Sequence, residues 1–160
     1  MTTLLLATFA GYSLGRIKFR GSSLIFLVIL GSRMIPLLAV LIPFYMILRS
    51  LNLLDTVWGL MLMYVNISLP FAVWILKGYF ETIPMDIEDA ARVDGCSRIG
   101  TVFRVILPLS LPGLVAAGLF SFMYCWNEFI MALVTTSSAK AFTVPVVVSM
   151  FSGDMQVEYG

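Results

Sequence analysis

Asp86, Glu88, Asp89, Arg92, Asp94, Arg98 and Arg104 gather within residues 86–112, between two long uncharged runs of a chain that is 60% hydrophobic and only 12% charged. Carboxylates and guanidinium groups at such density can form ion pairs and hydrogen bonds with a surface. They are not arranged to make or break covalent bonds. The sequence contains no His, and Cys96 and Cys125 show neither ligand nor disulfide spacing. No Ser/His/Asp set and no GxxxxGK[ST] loop occurs, so the residues predict no catalytic group, no metal site and no nucleotide hydrolysis by this chain. A net charge of +1 argues against a nucleic-acid partner, which needs a concentrated basic face.

Within 86–112 the order of residues predicts two short helices. Pro84 and Asp86 mark a helix start with Asp86 as cap, and Glu88 and Asp89 suit the positive first turn. The helix runs through Ala90, Ala91 and Arg92 to Asp94-Gly95, where Gly95 fits the left-handed position that ends many helices. Ser97 can cap a second helix whose Ile99, Val102, Phe103 and Ile106 share one face, with Arg98 and Arg104 away from it. Pro108 and Pro112 then delimit the entry to the next apolar run. Small Ala90 and Ala91 permit close approach of another surface, and the carboxylates give it charge to read. An amphipathic interfacial hairpin with solvated charges fits the same pattern.

The elements that position this loop read as membrane spans. With mean hydropathy +0.99 the chain is unlike a soluble domain of its length. Residues 24–48, 56–76 and 105–127 each offer about 20 predominantly apolar residues, enough to cross about 30 Å of hydrocarbon. The last is expected to begin as a helix near Leu109 or Pro112. The first run, 1–15, reaches about 22 Å as a helix and is expected to be the cytoplasmic end of a span whose start is missing. A signal-peptide core competes with that reading, but no basic stretch precedes it. At the other end Gly160 closes a polar stretch without a closing element, so the chain is expected to be incomplete at both ends.

Arg16, Lys18, Arg20, Lys77, Arg92, Arg98 and Arg104 fall on one side of these spans and only Arg49 and Lys140 on the other, placing 86–112 in the cytoplasm. The expected fold is an all-α polytopic membrane protein with three complete transmembrane helices, a partial N-terminal one and a cytoplasmic helix-turn-helix. Arg33, inside the first full span, reads first as a snorkelling or inter-subunit residue and second as a cargo contact. Glu128, at the end of the third, reads as a salt-bridge or pathway group. Pro36, Pro43 and Pro70 invite kinks.

The polar segment resembles the EAA motif of ABC importer permeases: Glu-Ala-Ala, three residues, Gly, nine residues, Ile, one residue, Leu-Pro. Asp89-Ala90-Ala91, Gly95, Val105 and Leu107-Pro108 stand at those spacings, with Asp for Glu and Val for Ile. The resemblance implies a coupling helix docked in a cleft of a separate ATPase, with Glu88, Asp89, Ala90, Ala91, Asp94, Gly95, Val105, Leu107 and Pro108 as the coupling residues. Trp126-Asn127-Glu128-Phe129, with Arg33-Met34-Ile35-Pro36, Ile42-Pro43, Leu69-Pro70-Phe71, Ile83-Pro84 and Phe142-Thr143-Val144-Pro145, resembles the carbohydrate permeases of the maltose-system type. That likeness implies a single permease domain over 1–160 lacking the family's first span, most of its second and its last. It implies a multi-pass protein of the prokaryotic inner membrane, a second permease subunit as heterodimer partner, two ABC ATPases carrying ATP and Mg2+, an extracytoplasmic solute-binding protein and a sugar as cargo. This chain itself would bind no cofactor. Trp126, Asn127 and Glu128 become candidates for the sugar pathway, their ring, amide and carboxylate suited to stacking and hydroxyl bonding. A permease for another polar solute, a secondary transporter or channel subunit, and a membrane scaffold are the competing readings.

Overall fold

Helices provide the regular structure among the described residues, 1–17 and 19–154 of the computed structural model, as suits apolar runs that must satisfy their own backbone groups. Lys18 of the basic turn and the last residues, 155–160, lie outside that description.

The longest helix, α4 (Val57–Thr82), is closed at its start by Thr56, whose Oγ1 accepts the Gly59 N–H at 3.1 Å. It outruns the predicted span 56–76 because Lys77 and Glu81, one turn apart, pair at 2.6 Å and carry it past the apolar stretch. Among the described residues α4 is the one helix long and apolar enough to cross a membrane alone. Two further spans exist by length and composition if each of two bent pairs counts as one. The expected span 24–48 is such a pair: α2 (Ser22–Gly31) ends in a 3-10 turn at Ser32–Met34, and α3 (Leu37–Ser50) restarts after Pro36. Proline pushes the residue before it out of helical geometry and offers no N–H, so this break is sharper than a kink. Pro43 and Pro70, in contrast, lie inside helices that continue through them. The span expected over 105–127 breaks at Ser110, where the preceding helical segment and α8 (Leu111–Asn127) meet at 72°.

The chain divides into two compact units. The first comprises Met1–Arg33 and Leu69–Ser121. It holds α1 (Thr2–Arg16), α2, the second part of α4, α5 (Met85–Val93), α6 (Arg98–Thr101), a π-helical turn Val102–Ile106, α7 (Leu107–Leu109) and the start of α8. Its core is Ala7, Ala72, Val73, Leu76, Phe80, Ile106 and Ala117, all fully buried. Gly113 lets α8 approach α4: a Cβ there would lie 2.5 Å from Cγ of the Tyr79 ring. Gly113→Ala is therefore expected to destabilise the protein by about 1–3 kcal/mol through overpacking, read as a lowered denaturation midpoint in detergent. Tyr79→Ala, which removes the three ring atoms that a Cβ at 113 would meet, should make the added Gly113→Ala change nearly neutral in a double-mutant cycle.

The second unit comprises Met34–Ser68 and the residues from Phe122 onward. It holds α3, the start of α4, the end of α8, α9 (Ile130–Thr135) and α10 (Val144–Asp154). Leu48, Met63 and Met131 form one buried cluster, and Leu60, Ala132 and Val146 another, flanked by Tyr64, Phe129 and Phe142. Ahead of the polar end at Gly160, whose last residues lie outside the described ones, the chain forms α10. Pro145 sits in the first turn of α10, where its missing N–H has no intrahelical acceptor to lose.

Candidate functional site

α5 begins at Met85 with Pro84 at the cap, so Asp86 lies in the first turn instead of capping it. Its far end is a Schellman turn. The Gly95 N–H donates to the Arg92 carbonyl and the Cys96 N–H to the Ala91 carbonyl, each at 3.0 Å. Gly95 holds φ +85°, the left-handed conformation its position in the sequence predicts. Ser97 then caps α6, its Oγ accepting the Gly100 N–H at 3.1 Å.

The single apolar face expected from Ile99, Val102, Phe103 and Ile106 does not form. Ile99 and Phe103 are exposed, while Thr101 and Ile106 are the buried pair. The π-helical turn over Val102–Ile106 explains this, because widening the turn aligns residues five apart. Val105 and Leu107 are half-buried and Pro108 is exposed.

The coupling candidates on α5 divide between two faces. Asp89 and Ala90 are exposed, and Asp94 stands exposed at the helix end. Glu88 and Ala91 are buried, so neither contributes to an outer surface, contrary to a reading in which Ala91 presents its methyl outward or Glu88 shares the role of Asp89. Glu88 is turned inward by Arg16 at the end of α1. Arg16 Nε donates to Glu88 Oε1 at 2.8 Å, Nη1 to the Ile83 carbonyl at 2.7 Å and Nη2 to the Pro84 carbonyl at 3.4 Å. The Tyr12 hydroxyl donates to Glu88 Oε2 at 3.3 Å. Arg92 approaches the same oxygen at 3.9 Å and pairs with Asp89 Oδ1 at 3.2 Å.

Sequence reasoning missed Arg16 and Tyr12, treating Arg16 only as one of the basic residues that mark a side. The available signal was their spacing. Four residues apart on one helix, they share a face, and a buried Arg requires a carboxylate.

The other predicted group, Trp126, Asn127 and Glu128, does not converge. Trp126 is exposed with its ring 5.5 Å from that of Phe122. The Asn127 side chain donates back to the Met123 carbonyl at 2.7 Å. Glu128 is buried and closes α9: its carboxylate accepts the Met131 N–H at 2.7 Å, the Ala132 N–H at 3.1 Å and the Tyr64 hydroxyl at 3.2 Å. This is helix capping by a carboxylate at the positive end of the helix, a structural role other than the salt bridge that the sequence offered beside pathway lining. Arg33 lies over the Phe71 ring, 5.8 Å from its centroid, a cation–π arrangement.

Asp55 was also missed. At φ +56°, its Oδ1 accepts the N–H groups of Ser137 and Ser138 at 2.8 and 2.9 Å, and its own N–H donates to the Thr135 carbonyl. The amide of Ser137, then the side chain and amide of Ser138, hold this carboxyl below the ordinary carboxylate range. Because the folded pKa is depressed, the contribution of the staple is complete above the unfolded carboxylate pKa and is lost as pH falls through the lower folded value. Amide exchange at Ser137 and Ser138, referenced to Asp55→Asn, is expected to show protection at neutral pH that disappears only below that range.

A family model described as binding-protein-dependent transport system inner membrane component matches residues 5–159. The sulfoquinovosyl glycerol transport system permease protein SmoH of Agrobacterium fabrum is 39% identical over 95% of this chain and 53% of its own length. The trehalose/maltose transport system permease protein MalG of Thermococcus litoralis is 38% identical over 96% of this chain and 55% of its own. The chain thus spans about half the length of the curated relatives it matches. The crystal structure of a bacterial ABC transporter involved in the import of the acidic polysaccharide alginate superposes with TM-score 0.77, covering 99% of this chain and 55% of that one. At 24% identity that likeness establishes the fold.

Proposed function

This chain belongs to the family of binding-protein-dependent transport system inner membrane components, and on that premise we propose that it is the transmembrane permease subunit of an ATP-driven carbohydrate importer. Residues 86–112 face the cytoplasm of a prokaryotic cell, and α5 docks in a cleft of one of two separate ATPase subunits. ATP and Mg2+ reside on those ATPases. A second permease subunit pairs with this one to complete the pathway, and an extracytoplasmic binding protein delivers the sugar.

The observation that carries the reading is the form of the α5–Gly95–α6 hairpin: a capped, sharply turned element that exposes Asp89 and Ala90 side by side. A rigid helix with an outward carboxylate directly beside a methyl-sized residue admits close contact and a charged anchor together. Closure of the ATPases would displace α5, and the attached spans would switch the pathway between inward and outward access. Coupling therefore rests on Asp89, Ala90, Asp94 and Gly95 at the interface. Ala91, Val105, Leu107 and Pro108 support the hairpin from within and behind.

A carbohydrate cargo is supported by the names of the relatives, which specify trehalose or maltose and sulfoquinovosyl glycerol. The exposed Trp126 ring offers a face on which a sugar could stack. Asn127 and Glu128, engaged with the backbone of this chain, contribute to a pathway mainly by holding its wall.

The test is ATP hydrolysis by the full-length permease assembled with its partner permease, ATPases and binding protein in proteoliposomes. Sugar-loaded binding protein should stimulate hydrolysis severalfold over unloaded protein. Equal rates with and without sugar would refute the assignment.

A further inference from the structure

We propose that the Arg16–Glu88 pair is a mechanical linkage that carries displacement of α5 directly into α1, making Arg16 a positioning residue for transport. The inference rests on the importer reading. α1 and α5 are separated in sequence by all of α2, α3 and α4, so no short covalent path joins them. The Arg16 guanidinium bridges that gap. It donates to the Glu88 carboxylate in the first turns of α5 and to the carbonyls of Ile83 and Pro84, the two residues that lead into the helix. The N-terminal end of α5 cannot tilt or slide without breaking these bonds or moving Arg16.

Three further observations give the grip stiffness. The two side chains are only 4% and 5% exposed, so water screens their attraction weakly and separating them would strand a buried charge. Tyr12, one turn earlier on α1, holds the second carboxylate oxygen. α1 is also seated on α4 through Gly11 and Gly15. A Cβ on Gly11 would lie 3.1 Å from the Leu76 Cβ, and one on Gly15 would lie 3.2 Å from the Lys77 carbonyl, tight separations that the bare glycine backbone accommodates without adjustment. A crevice of about 380 Å3 opens beside the pair, lined by Ile17, Met85, Arg98 and Val102. Ile87 and Ala91 pack α5 on its core side, so at the crevice the polar contacts are what join it to α1.

Two adjacent carboxylates therefore do different work: Asp89 faces outward, where a partner can reach it, and Glu88 faces α1. A pair serving only stability would make no distinction between hydrolysis and transport. A linkage would, because the ATPases can still close on a permease whose α1 no longer follows.

The discriminating variant is Arg16→Met/Glu88→Met in the full-length permease, assembled with its partner subunits. Replacing both members of a buried pair by apolar residues of similar volume commonly preserves folding. Expected is normal assembly, ATP hydrolysis within about twofold of wild type, and sugar imported per ATP reduced at least fivefold. Arg16→Lys provides the second arm. It retains the charge on Glu88 but lacks the planar fork that also reaches Ile83 and Pro84, and should give an intermediate ratio of about half. An unchanged import-to-ATP ratio in either assembled variant would overturn the linkage. Absence of ATP-driven import in the wild-type complex would instead overturn the importer reading.

Discussion

Gly95→Val is expected to reduce ATP-driven uptake at least tenfold while the membrane helices stay folded. The reason is local. Gly95 occupies φ +85°, and a residue with a Cβ pays about 1–2 kcal/mol for the left-handed region, a β-branched one more. To escape, the chain must give up the bonds from Gly95 to Arg92 and from Cys96 to Ala91, which set the angle at which α5 meets α6. Apart from its own chain neighbours, no atom of the described residues lies within 4 Å of where a Cβ would stand, so the penalty is one of backbone conformation and not of internal crowding. This yields a graded series. Asn tolerates the left-handed region and should retain the most uptake, Ala less and Val least. Uptake by each variant, alongside copurification of the ATPases, checks the order. If Asn proves as damaging as Val, the position is restricted by the docked partner and not by the turn.

The second large effect falls on Glu128. Glu128→Ala is expected to destabilise the protein by about 3 kcal/mol, because two buried N–H groups at the start of α9 lose their acceptor at about 1–3 kcal/mol each. Glu128→Gln keeps one acceptor oxygen and should cost less than half as much. Tyr64→Phe removes one bond to the same carboxylate and should cost about 1 kcal/mol. Because Glu128 serves both, a double-mutant cycle between positions 64 and 128 should show non-additivity. Denaturant unfolding of the purified protein measures all three. Unaltered stability of Glu128→Ala with a raised KM for sugar would show instead that the carboxylate touches cargo.

What could be read from the sequence was what depends on near neighbours. The left-handed Gly95, the Ser97 cap and the helical run after Pro112 are settled within a few residues, and the structure has all three. The break at Pro36 was half legible: proline announces a disturbance, but whether a helix kinks or stops depends on what packs around it, as the continuous helices through Pro43 and Pro70 illustrate. The π-helical turn at Val102–Ile106 defeated a periodicity argument that assumes 3.6 residues per turn. The direction in which Glu88 and Asp89 point could not come from their spacing to Gly95. It follows from Arg16, distant in the sequence; its spacing to Tyr12 marks a shared face but does not say which carboxylate that face meets. Asp55 was hidden for the same reason, since its acceptor role needs two serine amides far along the chain.

On the proposed reading, the full-length permease moves sugar at the expense of ATP hydrolysed by subunits docked on α5. Its most direct test is uptake of a labelled disaccharide by proteoliposomes containing the full-length permease, its partner permease, the ATPases and the binding protein. Accumulation should require ATP on the side facing residues 86–112, persist when ion gradients are collapsed, and be lost in Gly95→Val. Accumulation driven by an ion gradient without ATP would contradict it.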